Sequence, residues 1–72
     1  EQGELQRALG FYRAAYRLDS QKHEILFGLS KAYYALGDID RAERFLSMAK
    51  RRAPNAQDEE RYQGKLAVLQ NR

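Results

Sequence analysis

The chain has 72 residues, of which 43% are hydrophobic and 32% are charged, and its formal net charge is +3 at pH 7. This length allows one compact domain, and no apolar segment approaches the roughly 20 residues that a membrane-spanning helix requires. Because the sequence contains no cysteine, it excludes a disulfide framework and a thiolate metal site.

Apolar residues recur at spacings of three and four, which is the period of an α-helix. This pattern predicts helices over residues 4–18, 23–36 and 39–53, and a fourth helix within residues 57–72. No segment has the alternating pattern of a half-buried strand. Because the connecting loops are short, consecutive helices are predicted to be antiparallel neighbours.

Each predicted helix has one apolar face. In chain order, these faces contain Leu5, Ala8, Leu9, Tyr12, Ala15 and Tyr16; Ile25, Leu26, Leu29, Ala32, Tyr33 and Leu36; Ile39, Ala42, Phe45, Leu46 and Ala49; and Tyr62, Leu66 and Leu69. We expect these residues to form the core, because an amphipathic helix buries its apolar face against its neighbours.

The residues between the apolar segments favour helix ends. The polar residues 19–22 interrupt the first pattern, and Gly37 accepts the left-handed backbone conformation that ends many helices. Asp38 can cap the next helix. The basic residues 50–52 lie in the last turn of the third helix, where the macrodipole favours cations. Pro54 then prevents that helix from continuing.

The chain matches itself after a shift of 34 residues. The matched pairs are Gly3 with Gly37, Arg7 with Arg41, Ala8 with Ala42, Phe11 with Phe45, Ala15 with Ala49 and Arg17 with Arg51. A period of 34 residues with small residues on the contact face is typical of a helix-turn-helix solenoid. The first copy contains only its second helix.

With this register, residues 23–56 resemble one full repeat of the tetratricopeptide repeat family. The residues at the positions of the family pattern are Leu26, Leu29, Ser30, Tyr33, Gly37, Ala42, Leu46, Ala49 and Pro54. The departures are Leu26 in place of tryptophan, Ser30 in place of glycine, Leu46 in place of phenylalanine and Ser20 in place of proline. Residues 3–22 resemble the second helix of a truncated preceding repeat. The resemblance implies an all-α fold of antiparallel helix hairpins stacked as an α-α superhelix, here a solenoid fragment of four helices.

The fourth helix fits the repeat less well and allows two interpretations. A strict 34-residue register places Glu60 and Gln63 at apolar sites, whereas two extra loop residues place Tyr62, Leu66 and Leu69 there. The helix is then either the first helix of a diverged repeat or a terminal capping helix. We favour the capping helix, because much of its surface is polar.

The resemblance also implies a partner-binding surface, because in this family the first helices of the repeats line a concave face on which peptides usually bind. Phe27, Lys31 and Tyr34 lie at positions i, i+4 and i+7 of the second helix, outside its core face. Arg61 and Lys65 would continue this aromatic and basic strip if the fourth helix also faces inward. We therefore predict these five residues to contact a partner.

Two interpretations of the strip stay open. In one, Phe27 and Tyr34 anchor an acidic or aromatic peptide, and Lys31 contributes charge. In the other, the two aromatic residues pack against the fourth helix and bind nothing. The clamp that this family uses for the terminal carboxylate of a peptide requires lysine or arginine and asparagine. Phe27 and Lys31 occupy the two relevant sites here, so such a clamp is not expected.

No constellation in the sequence points to catalysis, a metal or a cofactor. His23 is the only histidine, and it lies at a predicted helix start, where we expect a surface or turn position rather than a zinc ligand. Paired carboxylates such as Asp38 and Asp40 also lie at helix starts, where they stabilise the helix rather than act as acid and base. The basic segment 50–52 is too small for a nucleic-acid interface.

Together with these patterns, the resemblance implies a non-catalytic protein–protein interaction or scaffold module that binds a partner peptide or helix in a concave groove and belongs to a larger repeat protein. The alternatives are a purely structural spacer repeat of a larger assembly or secretion protein, and a helper domain of an enzyme that lies outside this fragment. Arginine outnumbers lysine nine to four, as in many GC-rich bacterial genomes, so we expect a bacterial cytoplasmic or periplasmic protein.

Self-association is expected through residues 4–18. This helix belongs to a hairpin whose other helix is absent, so one of its flanks has no predicted neighbour. We expect that flank to include parts of Leu5, Leu9, Tyr12 and Tyr16. An exposed apolar area of a few hundred Å² would favour contact with a second copy.

Overall fold

The computed structural model describes residues 2–71, which form four α-helices joined by short turns. The helices are α1 (Gln2–Leu18), α2 (His23–Ala35), α3 (Ile39–Arg51) and α4 (Ala56–Gln70). No strand occurs among the described residues. The predicted all-α class, the number of helices and their order are confirmed.

The turn between α2 and α3 follows the sequence prediction. Gly37 has a φ of 87°, a left-handed conformation that costs glycine little because it has no Cβ. The Asp38 carboxylate then accepts a hydrogen bond of 3.1 Å from the backbone N–H of Arg41 and caps α3. The same carboxylate pairs with the Arg41 guanidinium at 2.8 Å.

Two helix starts differ from the prediction. The side chain of Asn55 accepts a hydrogen bond of 2.8 Å from the N–H of Asp58, so α4 begins at Ala56, just before the predicted range 57–72. Helix α1 begins at Gln2, so Gly3 is helical. The 34-residue match pairs Gly3 with the turn residue Gly37, and the two glycines are therefore not equivalent in backbone conformation.

The four helices form a flat, two-layered arrangement of 34 × 31 × 15 Å. Each helix packs against the next one along the chain. The alternate helices approach each other through aromatic side chains. Tyr16 of α1 meets Phe45 of α3 with ring centroids 5.6 Å apart, and Phe27 of α2 meets Tyr62 of α4 at 5.2 Å. One layer therefore contains α1 and α3, and the other contains α2 and α4.

The core lies between the layers and consists of the predicted apolar faces. The largest cluster of buried side chains contains Leu26, Ala42, Leu46, Ala49, Tyr62, Leu66 and Leu69, and a smaller one contains Leu9, Leu29 and Ala32. Ala42 and Ala49 are fully buried, which agrees with their expected role as small residues at a close helix contact.

Two contacts between helices were not predicted. A Cβ atom placed at Gly28 of α2 would overlap the ring of Tyr12, so the absence of a side chain lets α1 approach α2. Ser30, which the predicted repeat register places at a glycine position, is buried and donates a hydrogen bond of 2.7 Å to the carbonyl oxygen of Ala42. This bond connects α2 to α3 and satisfies the buried hydroxyl.

The exposed flank of α1 differs from the prediction at Leu9, whereas Leu5, Tyr12 and Tyr16 stay partly exposed as expected. Leu9 is buried, and Tyr12 and Tyr16 are half-buried against residues of α2 and α3. Leu9, Tyr12 and Tyr16 face these helices, because they find apolar contacts there. The large apolar side chains that α1 leaves in solvent are Phe11, which is 71% exposed, and Leu18, which is 90% exposed.

Candidate partner-binding groove

A groove of about 460 Å³ lies between α2 and α4 on one face of the molecule. Its lining residues come from three helices and are Phe27, Ser30, Lys31, Tyr34, Leu46, Lys65, Val68 and Leu69. Four of the five predicted contact residues line this groove, and the fifth, Arg61, lies at its end above the ring of Phe27. The structure therefore brings the predicted strip of α2 together with the predicted residues of α4.

The floor of the groove is apolar and its edges are exposed. Leu46 of α3 and Leu69 of α4 form the buried floor. Tyr34 of α2 and Val68 of α4 line the groove from its two sides and are 55% and 69% exposed. An exposed aromatic ring and an exposed β-branched side chain above a buried apolar floor can cover the apolar side chain of a bound peptide.

Phe27 is the centre of a cluster of cations. The Nζ atom of Lys31 lies 4.9 Å from the centroid of its ring, the Nζ atom of Lys65 lies at 5.7 Å and the guanidinium carbon of Arg61 lies at 5.5 Å. These distances are within the range of cation–π attraction, which holds the charges over the negative face of the ring. One half-buried ring thus positions three positive charges from two helices.

The cations of the groove differ in how far they are neutralised. Arg61 pairs with Asp58 at 3.3 Å, one turn before it on α4. In the part of the chain that the structure describes, Lys31 and Lys65 form no ion pair, and no carboxylate lines the groove. The groove therefore presents uncompensated positive charge next to aromatic surface, a combination that favours an acidic partner.

Phe27 also packs against α4, as the alternative interpretation predicted. Its ring lies 5.2 Å from that of Tyr62, and it contacts the main core cluster. Tyr34 differs from Phe27, because it is more than half exposed and contacts no other aromatic ring within residues 2–71. Phe27 thus contributes both to the core and to the groove, whereas Tyr34 contributes to the groove alone.

A hydrogen bond between His23 and Tyr62 connects the two walls of the groove. The Nδ1 atom of His23 lies 2.6 Å from the Tyr62 hydroxyl, and the tyrosine side chain is fully buried. Burial disfavours the phenolate and raises the pKa of Tyr62. Sequence reasoning placed His23 at a helix start, which is correct, but no signal in the sequence connects it to a residue 39 positions away.

The remaining basic segment has a local role. Lys50 at the end of α3 donates a hydrogen bond to the side chain of Gln63 on α4, so one of the three charges in residues 50–52 connects two helices.

Among residues 2–71, no three histidine, aspartate or glutamate side chains form a cluster that could hold a metal ion. No helix in this part of the chain combines the length and the apolar character that a membrane span requires.

The antiparallel helices, each packed on the next in sequence, define a helical-repeat protein with a groove on one face. A family model described as tetratricopeptide repeat matches residues 1–69, and the chain belongs to this family. It is accordingly a protein-interaction or scaffold module. Searches of curated proteins and of solved structures found no match.

Proposed function

We propose that the groove between α2 and α4 binds an acidic peptide or helix of a protein partner. The observation that carries this proposal is the position of Phe27 beneath Lys31, Arg61 and Lys65, with Tyr34 exposed beside it. Lys31, Lys65 and Tyr34 are exposed and are not part of the hydrophobic core, yet all three lie around one apolar floor.

The partner's chemistry follows from the two kinds of surface in the groove. An apolar or aromatic side chain of the peptide would lie on Leu46 and Leu69, between Tyr34 and Val68. Carboxylates on either side of it would approach Lys31 and Lys65. Part of the binding free energy is then apolar and insensitive to salt, and part is electrostatic and weakens as ionic strength rises.

Selection of random phage-displayed peptides on the immobilised chain tests this proposal directly. We expect the selected peptides to be enriched in aspartate or glutamate next to an aromatic or large aliphatic residue. Their affinity for the chain, measured by fluorescence anisotropy, should decrease about tenfold in Tyr34→Ala, because anchors of this type typically contribute more than 1 kcal/mol. Lys31→Glu should weaken the same peptides and remove much of their salt dependence.

The choice of substitution at Phe27 depends on its double role in the core and in the groove. Phe27→Ala would also remove a core contact, so Phe27→Leu is the better variant because it keeps an apolar side chain and removes the ring that holds the cations. Arg7→Gln combined with Arg52→Gln removes two exposed charges outside the groove and is the control for Lys31→Gln combined with Lys65→Gln. Selected peptides that bind all groove variants as tightly as the parent would refute the proposal.

The second candidate function is that of a structural spacer within a larger repeat protein, with catalysis, if any, in other parts of that protein. In this arrangement residues 3–22 are the second helix of one repeat, 23–56 are a complete repeat and 57–72 are a capping helix. The exposed polar residues of α4 support the capping role. The spacer function predicts that peptide selection yields no sequence preference. We also retain self-association through α1, now carried by Phe11 and Leu18.

A further inference from the structure

A second cleft lies on the opposite face of the molecule, between α1 and α3. It has a volume of about 310 Å³, and its lining residues are Arg13, Tyr16, Arg17, Leu29, Tyr33 and Phe45. The aromatic residues of this cleft contact one another. Tyr33 and Phe45 are stacked with ring centroids 5.7 Å apart and an interplanar angle of 7°, and Tyr16 meets Phe45 edge-on at 5.6 Å. The floor is therefore a preformed aromatic surface.

The charged wall of this cleft consists of arginine alone. Arg13 and Arg17 are one turn apart on α1 and both are exposed. Within residues 2–71, neither of them forms an ion pair, and neither is held over an aromatic ring. Arg41, which does not line the cleft, lies 5.7 Å from the ring of Tyr33 and is already paired with Asp38. The two arginines of α1 are thus the charges left for a ligand.

The guanidinium groups of these two arginines suit a ligand that carries carboxylates. A guanidinium group binds a carboxylate through two parallel hydrogen bonds, which a lysine cannot do. Two guanidinium groups one helical turn apart match acidic residues on both sides of a central side chain. That central side chain would lie on the rings of Tyr16 and Phe45, where no carboxylate lines the cleft.

We infer that the cleft between α1 and α3 is a second docking site, which takes an acidic peptide segment with a central aromatic or aliphatic residue. Charge complementarity selects this occupant, because the cleft's lining residues combine arginine and aromatic side chains and include no acid. The exposed apolar residues of α1, Phe11 and Leu18, do not line the cleft. The cleft and the groove between α2 and α4 share no lining residue, so a segment bound in one does not occupy the other.

The test uses a fluorescein-labelled peptide in which glutamates precede and follow a central Phe-Leu pair, titrated into the isotope-labelled chain. We expect amide chemical-shift changes in residues 13–17 and 41–45, also when Lys31→Gln and Lys65→Gln have weakened the groove between α2 and α4. When Arg13→Gln and Arg17→Gln are added to this lysine variant, they should remove these shift changes. They should also weaken the binding of the peptide about tenfold relative to the lysine variant alone. Arg13→Lys with Arg17→Lys should weaken it less, because the charge is kept and the bidentate geometry is lost.

Several outcomes would overturn the inference. The first is a set of shift changes confined to residues 27–34 and 61–68, which would support the groove of the proposed function alone. The second is equal weakening by Arg7→Gln combined with Arg52→Gln, which would reduce the effect to net charge. The third is equal binding of a peptide with glutamine in place of glutamate. Tighter binding of single-stranded oligothymidine in the same cleft would assign it to nucleic acid instead.

Discussion

Tyr62 holds α4 against the rest of the molecule, and Tyr62→Ala measures how strongly. The side chain is fully buried, packs against Phe27 and contacts His23. Replacement of a buried large aromatic residue by alanine costs about 3–5 kcal/mol of unfolding free energy. A chain of this length has a net stability of about 4–11 kcal/mol. The substitution should therefore remove a large fraction of the stability and release α4 from α2.

The assay is urea-induced unfolding followed by circular dichroism, combined with hydrogen exchange of the α4 amides. We expect a lower unfolding midpoint and faster exchange across Ala56–Gln70, with less change in Ile39–Arg51. Val68→Ala is the matched control, because Val68 lies on the same helix and is 69% exposed, and it should change stability by less than about 0.5 kcal/mol. A loss of less than about 1 kcal/mol in Tyr62→Ala, with full protection of α4, would refute the reasoning.

Three further predictions concern packing and pH. Ala42→Leu should cost about 1–3 kcal/mol by overpacking a fully buried helix contact, whereas Gln57→Leu, at an exposed position, should cost little in the same thermal melts. Gly28→Ala should lower the melting temperature, because the new Cβ atom meets an aromatic ring. Gly64→Ala should raise the melting temperature, because the space around Gly64 is open and alanine favours the helix. Equal shifts in the two variants would show that α1 does not approach α2 at Gly28. The raised pKa of Tyr62 favours the neutral phenol in the folded state. The parent should therefore lose stability as pH rises from about 10 through the folded pKa, whereas Tyr62→Phe should lack this loss in urea titrations at alkaline pH.

The parts of the fold that depend on local chemistry were predictable from the sequence. Gly37 and Asp38 determine a turn and a cap through their own backbone and side-chain preferences. Ala42 and Ala49 recur at the helical period within a 34-residue match, which identifies them as contact positions before any neighbour is known. The strip formed by Phe27, Lys31 and Tyr34 was visible for the same reason, as a regular spacing outside the core face.

The individual side-chain contacts between helices were not predictable. The bond between His23 and Tyr62 and the approach of Gly28 to Tyr12 join residues whose spacing follows no period. They depend on the rotation and offset of whole helices, which small changes in packing alter. The arginine-lined cleft shows this most clearly. Arg17 entered the sequence comparison only as the equivalent of Arg51, and its position beside an aromatic floor arises from the way α1 packs on α2 and α3.

Helix α1 provides the last prediction, which concerns association of the chain with itself. Phe11 and Leu18, at i and i+7, lie on the same face of the helix two turns apart, and both are largely in solvent. In a solenoid, each repeat leaves an apolar flank that only a neighbour covers. A second copy supplies an equivalent flank, so α1 of one copy should pack against α1 of the other through these two side chains.

The contact should be weak, because two side chains per copy bury far less apolar surface than a stable interface of about 1,200–2,000 Å² requires. Sedimentation velocity should therefore show a rising average mass only when the concentration of the chain approaches the millimolar range. Phe11→Ser combined with Leu18→Ser should keep the chain monomeric and change the free energy of unfolding by no more than about 0.5 kcal/mol, since both residues are exposed. The groove substitution Tyr34→Ala should leave association unchanged and serves as the control. If the serine variant associates as strongly as the parent, the copies meet through a surface other than α1, and the exposed flank of this helix has no role in self-association.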